Sequence, residues 1–151
     1  MNGPDGPLLG RNFDFYHRAA MLLLTEPPDG FKSISMVDLH YCNFADTVTL
    51  QELQAQPERL QLAPYVPFDG VNEKGVAMGL MAVPSAQPPF DPAKVSLYDL
   101  ELIRLVLDQA ESTEGALALL RGYNYRLGEL PVHFLIADSS GAAAIVEYVG
   151  G

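Results

Sequence analysis

The stretch Phe68-Asp69-Gly70-Val71-Asn72-Glu73-Lys74-Gly75-Val76-Ala77-Met78-Gly79-Leu80-Met81-Ala82-Val83-Pro84 reads as two turns followed by a strand. Asp69-Gly70 is a turn dipeptide. Val71 to Gly75 forms a second tight turn, and Val76 to Val83 is strongly apolar on both of its alternating faces. A strand with two apolar faces belongs inside a layered structure. Nothing in Asn72 to Gly75, taken by itself, demands catalysis.

Upstream, Met21 to Thr25 is a short apolar strand closed by Glu26-Pro27-Pro28-Asp29-Gly30. Lys32 to Leu39 alternates, with Ile34, Met36 and Asp38 on one face, so the two strands read as a hairpin. Thr49 to Gln54 forms one helical turn, and Pro57, Pro64 and Pro67 break anything longer. At the start, Leu8 to Phe15 reads as a strand interrupted by Arg11, Asn12 and Asp14. Downstream of a proline-rich loop (Pro84 to Pro92), Ser96 is expected to cap a helix, with Asp99 three residues on. Its apolar stripe is Leu100, Ile103, Val106, Leu107 and Ala110. A second helix starts at Ser112 or Thr113, carries Ala116, Leu119 and Leu120, and stops at Gly122. Two further strands, Val132 to Ala137 and Ala143 to Val149, are joined by Asp138-Ser139-Ser140-Gly141. Strands, two consecutive helices, then strands imply an α+β layered domain with antiparallel sheets. No internal domain boundary stands out, so residues 1–151 are read as one domain.

Composition agrees. At 48% hydrophobic and 19% charged residues, the chain can form a core. A domain of this length buries roughly 70% of the surface that its unfolded chain exposes. A net charge of −10 repels phosphate backbones, so nucleic acid is not an expected partner. The longest wholly apolar run, Ala19 to Leu24, is six residues, too short to span a bilayer. The start has no basic region and no long apolar stretch, so no secretory signal is expected and a cytoplasmic location is. One cysteine, Cys42, excludes a disulfide framework within the chain.

Chemistry can sit where polar residues interrupt an apolar strand. In a regular strand Arg11 and Phe13 share one face, and Asn12 and Asp14 the other. Buried charge needs a partner or a role, so these residues form either a structural ion pair or a site. Cys42, with His40 on the same face of a strand, is the tempting nucleophile, but an isolated cysteine among apolar residues reads as a buried small hydrophobe. His133 reads as strand packing, since no carboxylate motif adjoins it. His17 is expected to be exposed or at a substrate mouth. The histidines and the cysteine have no zinc spacing, and no glycine-rich phosphate loop exists, so no metal or cofactor is expected.

Several of these segments together resemble the choloylglycine hydrolase and penicillin acyltransferase-like family of N-terminal-nucleophile amide hydrolases. Gly10-Arg11-Asn12-Phe13-Asp14 is similar to the family's Gly-Arg-Asn-x-Asp. Asp69 to Val76 is similar to its Asn-Glu-x-Gly-Leu turn and strand. His133 to Asp138 and Ile145-Val146-Glu147 look like its paired strands bearing His-x-x-x-x-Asp and Val-Glu. The resemblance implies a partial αββα sandwich and hydrolysis of linear, non-peptide C–N amide bonds. The implied nucleophile is an N-terminal cysteine, absent from this chain, with its α-amine as base. It further implies that Arg11 lies against the thiolate, that Asp14 holds the α-amine, and that Met81 lends its backbone N–H to the oxyanion. Met81 stands where the bile-salt branch has asparagine, which points to the penicillin acyltransferase-like branch. The family is about twice this length, so the resemblance implies a chain truncated at both ends and without turnover on its own. The expected partner is a small-molecule amide. Self-association is allowed for, because missing strands would expose edges and apolar surface. The rival expectations are an inactive fragment or non-enzymatic αββα module, and an acyltransferase passing the acyl group to an amine.

Overall fold

The computed structural model describes residues 2–3, 6–12 and 15–149. Near the start, β1 (Asn2–Gly3) and β2 (Gly6–Pro7) pair antiparallel. The main sheet consists of β3 (Ala20–Thr25), β4 (Ser33–Asp38), β5 (Pro67–Asn72), β6 (Ala77–Ala82), β9 (Val132–Ala137) and β10 (Ala143–Val146). Its order is β10-β9-β6-β5-β4-β3, antiparallel at every pairing. Helices α2 (Asp99–Gln109) and α3 (Thr113–Arg121) lie between β6 and β9 in sequence, after β7 (Ser96–Tyr98) and before β8 (Asn124–Arg126). A short α1 (Leu50–Ala55) and a 3₁₀ segment (Pro57–Tyr65) link β4 to β5.

The core lies between one face of the sheet and α2 and α3. Leu100, Ile103, Val106, Leu107 and Ala110 are all buried, as the stripe predicts, against Phe68, Met78, Leu80, Phe134 and Ile136. The side chains Ser33, Ser35 and Val37 point into the protein from β4, and Ile34, on the other face, is 39% exposed. The reason is Arg104 of α2. It reaches the sheet and donates to Ser33 Oγ at 2.9 Å and to Thr25 Oγ1 at 3.1 Å, so small hydroxyls rather than aliphatics are needed beneath it. The opposite face of the sheet carries exposed Leu22, Leu24 and Ile145. Among the described residues there is thus one α layer on one β layer, half of the expected sandwich.

Several boundaries differ from the sequence reading; the last strand, for one, ends at Val146 rather than Val149. Residues 8–12 are not a strand; Pro7 has no N–H to offer a ladder and Gly6 takes φ +123°. Asp69-Gly70 is not a turn but the middle of β5, opposite Met36 and Ser35 on one side and Gly79 and Met78 on the other. Ser96 does not cap a helix: it lies in β7, parallel to β8, and the first turn of α2 is closed by Glu101, which accepts the Tyr98 N–H at 2.8 Å. The second helix is as read, with Ser112 Oγ accepting the Gly115 N–H at 3.1 Å and Gly122 after its end.

Gly70 and Asn72 explain how α2 sits so close. A Cβ at Gly70 would lie 2.7 Å from the Ile34 carbonyl oxygen and 2.8 Å from Leu107 Cδ1. Asn72, buried, donates from Nδ2 to the carbonyls of Leu107 (3.1 Å) and Ala110 (2.8 Å), two of the groups a helix end leaves without intrahelical partners. Its Oδ1 accepts from the amides of Lys74 (3.1 Å) and Val76 (3.0 Å). Gly75 completes the turn at φ +81°.

Candidate active site

Arg11 is held at the carboxyl end of β6. Its Nε lies 3.0 Å from Asp69 Oδ2, and its guanidinium also donates to the Leu80 carbonyl. The side chain can cross β6 because position 79 is glycine: a Cβ there would meet Asp69 Cβ at 3.2 Å and Arg11 Cδ at 3.4 Å. Burial pushes the Asp69 carboxyl above its usual range, with the Arg11 charge and the Met36 amide opposing the shift. Between Met36 and Val37 the β4–β5 ladder slips, so that Val37 faces Pro67 and Phe68 has no opposite number. Such an irregularity re-aims side chains at a sheet end.

Beside Arg11 opens a cavity of about 270 Å³. Phe15, Phe68, Leu100 and Val132 give it apolar walls; Asn12, Tyr41, Asp99 and Glu129 also line it. The Tyr41 hydroxyl donates to Glu129 Oε2 at 3.3 Å, and burial, with Glu129 adding to it, pushes the phenol up to about 12. Burial raises Asp99 as well. Of the residues singled out from sequence, Arg11, Asn12 and Met81 line this cavity. Asp14, like Phe13, lies outside the described residues.

The backbone at Met81 has a definite direction. Val83 donates its N–H to the Pro131 carbonyl at 2.9 Å, and Met81 lies opposite His133 in the same ladder, two residues earlier. Residues two apart in an antiparallel ladder share one phase, so the Met81 N–H turns to β9. Leu80 and Ala82 have the opposite phase, and the Leu80 carbonyl already meets Arg11. The amide facing the Arg11 side at this strand end is therefore that of Ala82, one residue beyond the expected donor. The alternation of N–H direction along the strand makes a one-residue offset decisive.

Other residues fall into place more simply. Cys42 is 1% exposed in a 3₁₀ turn, packed with Val37, Leu39 and Phe44, and burial followed by the Asp38 charge raises its thiol. His17 is exposed and does not line the cavity. His133 does have a carboxylate neighbour, contrary to the sequence reading: Glu147 Oε1 is 3.1 Å from its Nδ1, brought there by the β9–β10 pairing. Asp138 accepts from the Thr113 N–H at 2.7 Å and from Ser140, ties the β9–β10 turn to the start of α3, and is thereby held well below the usual carboxylate range. Sequence reasoning missed Asp69, Gly79, Tyr41, Asp99 and Glu129. For Asp69 a signal existed: an acid inside an apolar stretch, between Phe68 and Gly70.

The family model of linear amide C–N hydrolases, choloylglycine hydrolase family, matches residues 5–151. The chain belongs to the choloylglycine hydrolase family. Solved structures similar to it include penicillin V acylase from Agrobacterium tumefaciens, at TM-score 0.54 and 21% identity, covering 80% of this chain and 31% of that one. A variant of conjugated bile acid hydrolase from Clostridium perfringens is similar at TM-score 0.53 and 20% identity, covering 78% of this chain and 33% of that one. The family member described here therefore spans about a third of the length of those structures, and the likeness is one of fold: both neighbours are N-terminal-nucleophile hydrolase folds. No curated protein matches the chain. No helix among its described residues is long and apolar enough to cross a membrane.

Proposed function

We propose that residues 1–151 form part of a single amide hydrolase domain whose nucleophile is an N-terminal cysteine supplied from outside these residues. The thiolate attacks the carbonyl carbon of a linear amide held in the 270 Å³ cavity. The tetrahedral oxyanion takes a hydrogen bond from the peptide N–H that joins Met81 to Ala82. Collapse breaks the C–N bond, and the amine leaves with a proton from the α-ammonium of the cysteine. Water then attacks the thioester, returning the thiol and releasing the carboxylic acid. Arg11 favours the thiolate by its charge, and Asp14 orients the α-amine. Cys42 takes no part, because it is buried and its thiol is raised. The exposed sheet face at Leu22, Leu24 and Ile145 is read as the surface on which the second sheet of the sandwich packs.

The observation that carries this reading is the placement of Arg11: a largely buried guanidinium, anchored by Asp69 and the Leu80 carbonyl, at the edge of an apolar-walled cavity. In a longer form of the protein that carries the upstream cysteine, Asp14→Asn is expected to depress acyl-enzyme formation strongly, and Arg11→Met to raise the pH at which the thiol reacts. Unchanged rates and pH profile in both variants would defeat the assignment.

A further inference from the structure

The cavity is unevenly charged. Arg11 is engaged by Asp69. Asp99 and Glu129 also line the cavity, and among the described residues no cation lies within ion-pair distance of Asp99. Arg18 lies 4.0 Å from Glu129 but is shared with Asp38 at 3.4 Å and Asp46 at 3.9 Å. The guanidinium also lies over the rings of Phe15 and Tyr16, and Arg18 does not line the cavity. Asp99 Oδ1 accepts the Leu100 N–H at 2.9 Å, and the loop at Gly128 closes on the same carboxylate. A Cβ at Gly128 would lie 2.6 Å from Asp99 Oδ2, so the glycine lets Glu129 and Asp99 share one wall. Their mutual repulsion helps raise Asp99.

From this arrangement we infer that Asp99 and Glu129 set specificity, selecting amide substrates whose apolar body ends in a protonated amine and rejecting those that end in a carboxylate. The inference rests on the reading that this cavity receives the substrate. An ammonium placed there replaces lost hydration with charge-assisted hydrogen bonds to two carboxylates. A carboxylate placed there meets like charge with no spare cation. The cavity volume lies just under the range of roughly 300–1,000 Å³ usual for small-molecule sites, which suits a short aromatic or aliphatic body.

Three probes of one shape test this on the chain itself: 3-phenylpropylamine, 3-phenylpropanol and 3-phenylpropionate, titrated at neutral pH and followed by amide chemical shifts. The amine is expected to bind about fivefold or more tightly than the alcohol, and the carboxylate more weakly than either. Glu129→Gln, on the half-exposed rim, should narrow the gap between amine and alcohol, and Glu129→Gln with Asp99→Asn should close it, with alcohol binding retained. Removing two remote acids, Glu58→Gln with Glu114→Gln, should leave the order intact and so separates the wall from the net charge of −10. Equal binding of amine and alcohol at the cavity, or a preference that survives loss of both wall carboxylates or is lost equally in the remote variant, overturns the specificity assignment alone. If not even the alcohol perturbs the amides around the cavity, the substrate-site reading falls and the specificity assignment falls with it.

Discussion

The Asn72–Gly75 turn joins β5 to β6, and Arg11 crosses the same two strands at Asp69 and Gly79; the turn, Arg11 and Asp69 all lie in motifs by which the chain resembles its family. In the turn, the polar side chains of Asn72 and Glu73 close on backbone: Asn72 uses its carbonyl and its amide, Glu73 accepts the Lys32 N–H at 3.0 Å, and Gly75 supplies the left-handed residue. At the crossing, a charge is held in place beside a cavity. A motif can thus be retained for architecture or for chemistry, and the two are told apart by whether its polar atoms end on helix and turn backbone or beside an opening.

Breaking the turn should cost most. Asn72→Ala removes four hydrogen bonds and leaves helix-end carbonyls and turn amides buried without partners; the expected loss is roughly 3–5 kcal/mol, read as a shift of the denaturant midpoint. Gly70→Ala should cost about 2–3 kcal/mol, because its Cβ would meet the Ile34 carbonyl and Leu107 and force α2 away from the sheet. A loss under about 0.5 kcal/mol in either variant, the size usual for surface changes, would show that α2 is not anchored there.

At the crossing the effects should be smaller and should depend on pH. Arg11→Met removes the charge opposing the rise of the Asp69 carboxyl, so that group should rise further. A carboxylic acid raised in the folded state gives stability that is present below its unfolded pKa and is lost as pH rises through its folded pKa. The gap between variant and wild type should therefore widen by about 1 kcal/mol between pH 3 and pH 7, on top of a pH-independent loss of the Leu80 hydrogen bond. Comparing the two at each pH cancels Asp138, whose depressed pKa acts in the opposite sense. A gap that is constant with pH would mean that Asp69 is not what Arg11 serves. Smallest of all is the effect expected at Cys42: iodoacetamide at pH 6 should label it only on unfolding, since burial raises its thiol.

Both helices, the hairpin, the paired late strands and the buried strand after Asn72 were legible in the sequence, because period and turn chemistry are local. The second helix could be bounded from Ser112 and Gly122 alone. Arg11 was legible as a charge in need of a partner, but its partner was not, since Asp69 lies 58 positions away and reads locally as half of a turn. Likewise the sequence did not say which face of β4 turns inward, because the hydroxyls of Ser33 and Thr25 meet a guanidinium on a helix far along the chain.

By itself, then, the sequence determined the α+β class, the two helices, the hairpin and the late strands, and which residues carry unusual charge within apolar surroundings. The tertiary structure alone decided what those charges meet: that Asp69 takes Arg11, that Asp99 and Glu129 share one wall, that His133 meets Glu147, and which amide at the end of β6 faces the Arg11 side. Secondary structure follows from neighbours a few residues apart. Ion pairing, cavity walls and N–H direction depend on strand register, and a shift of one residue reverses them.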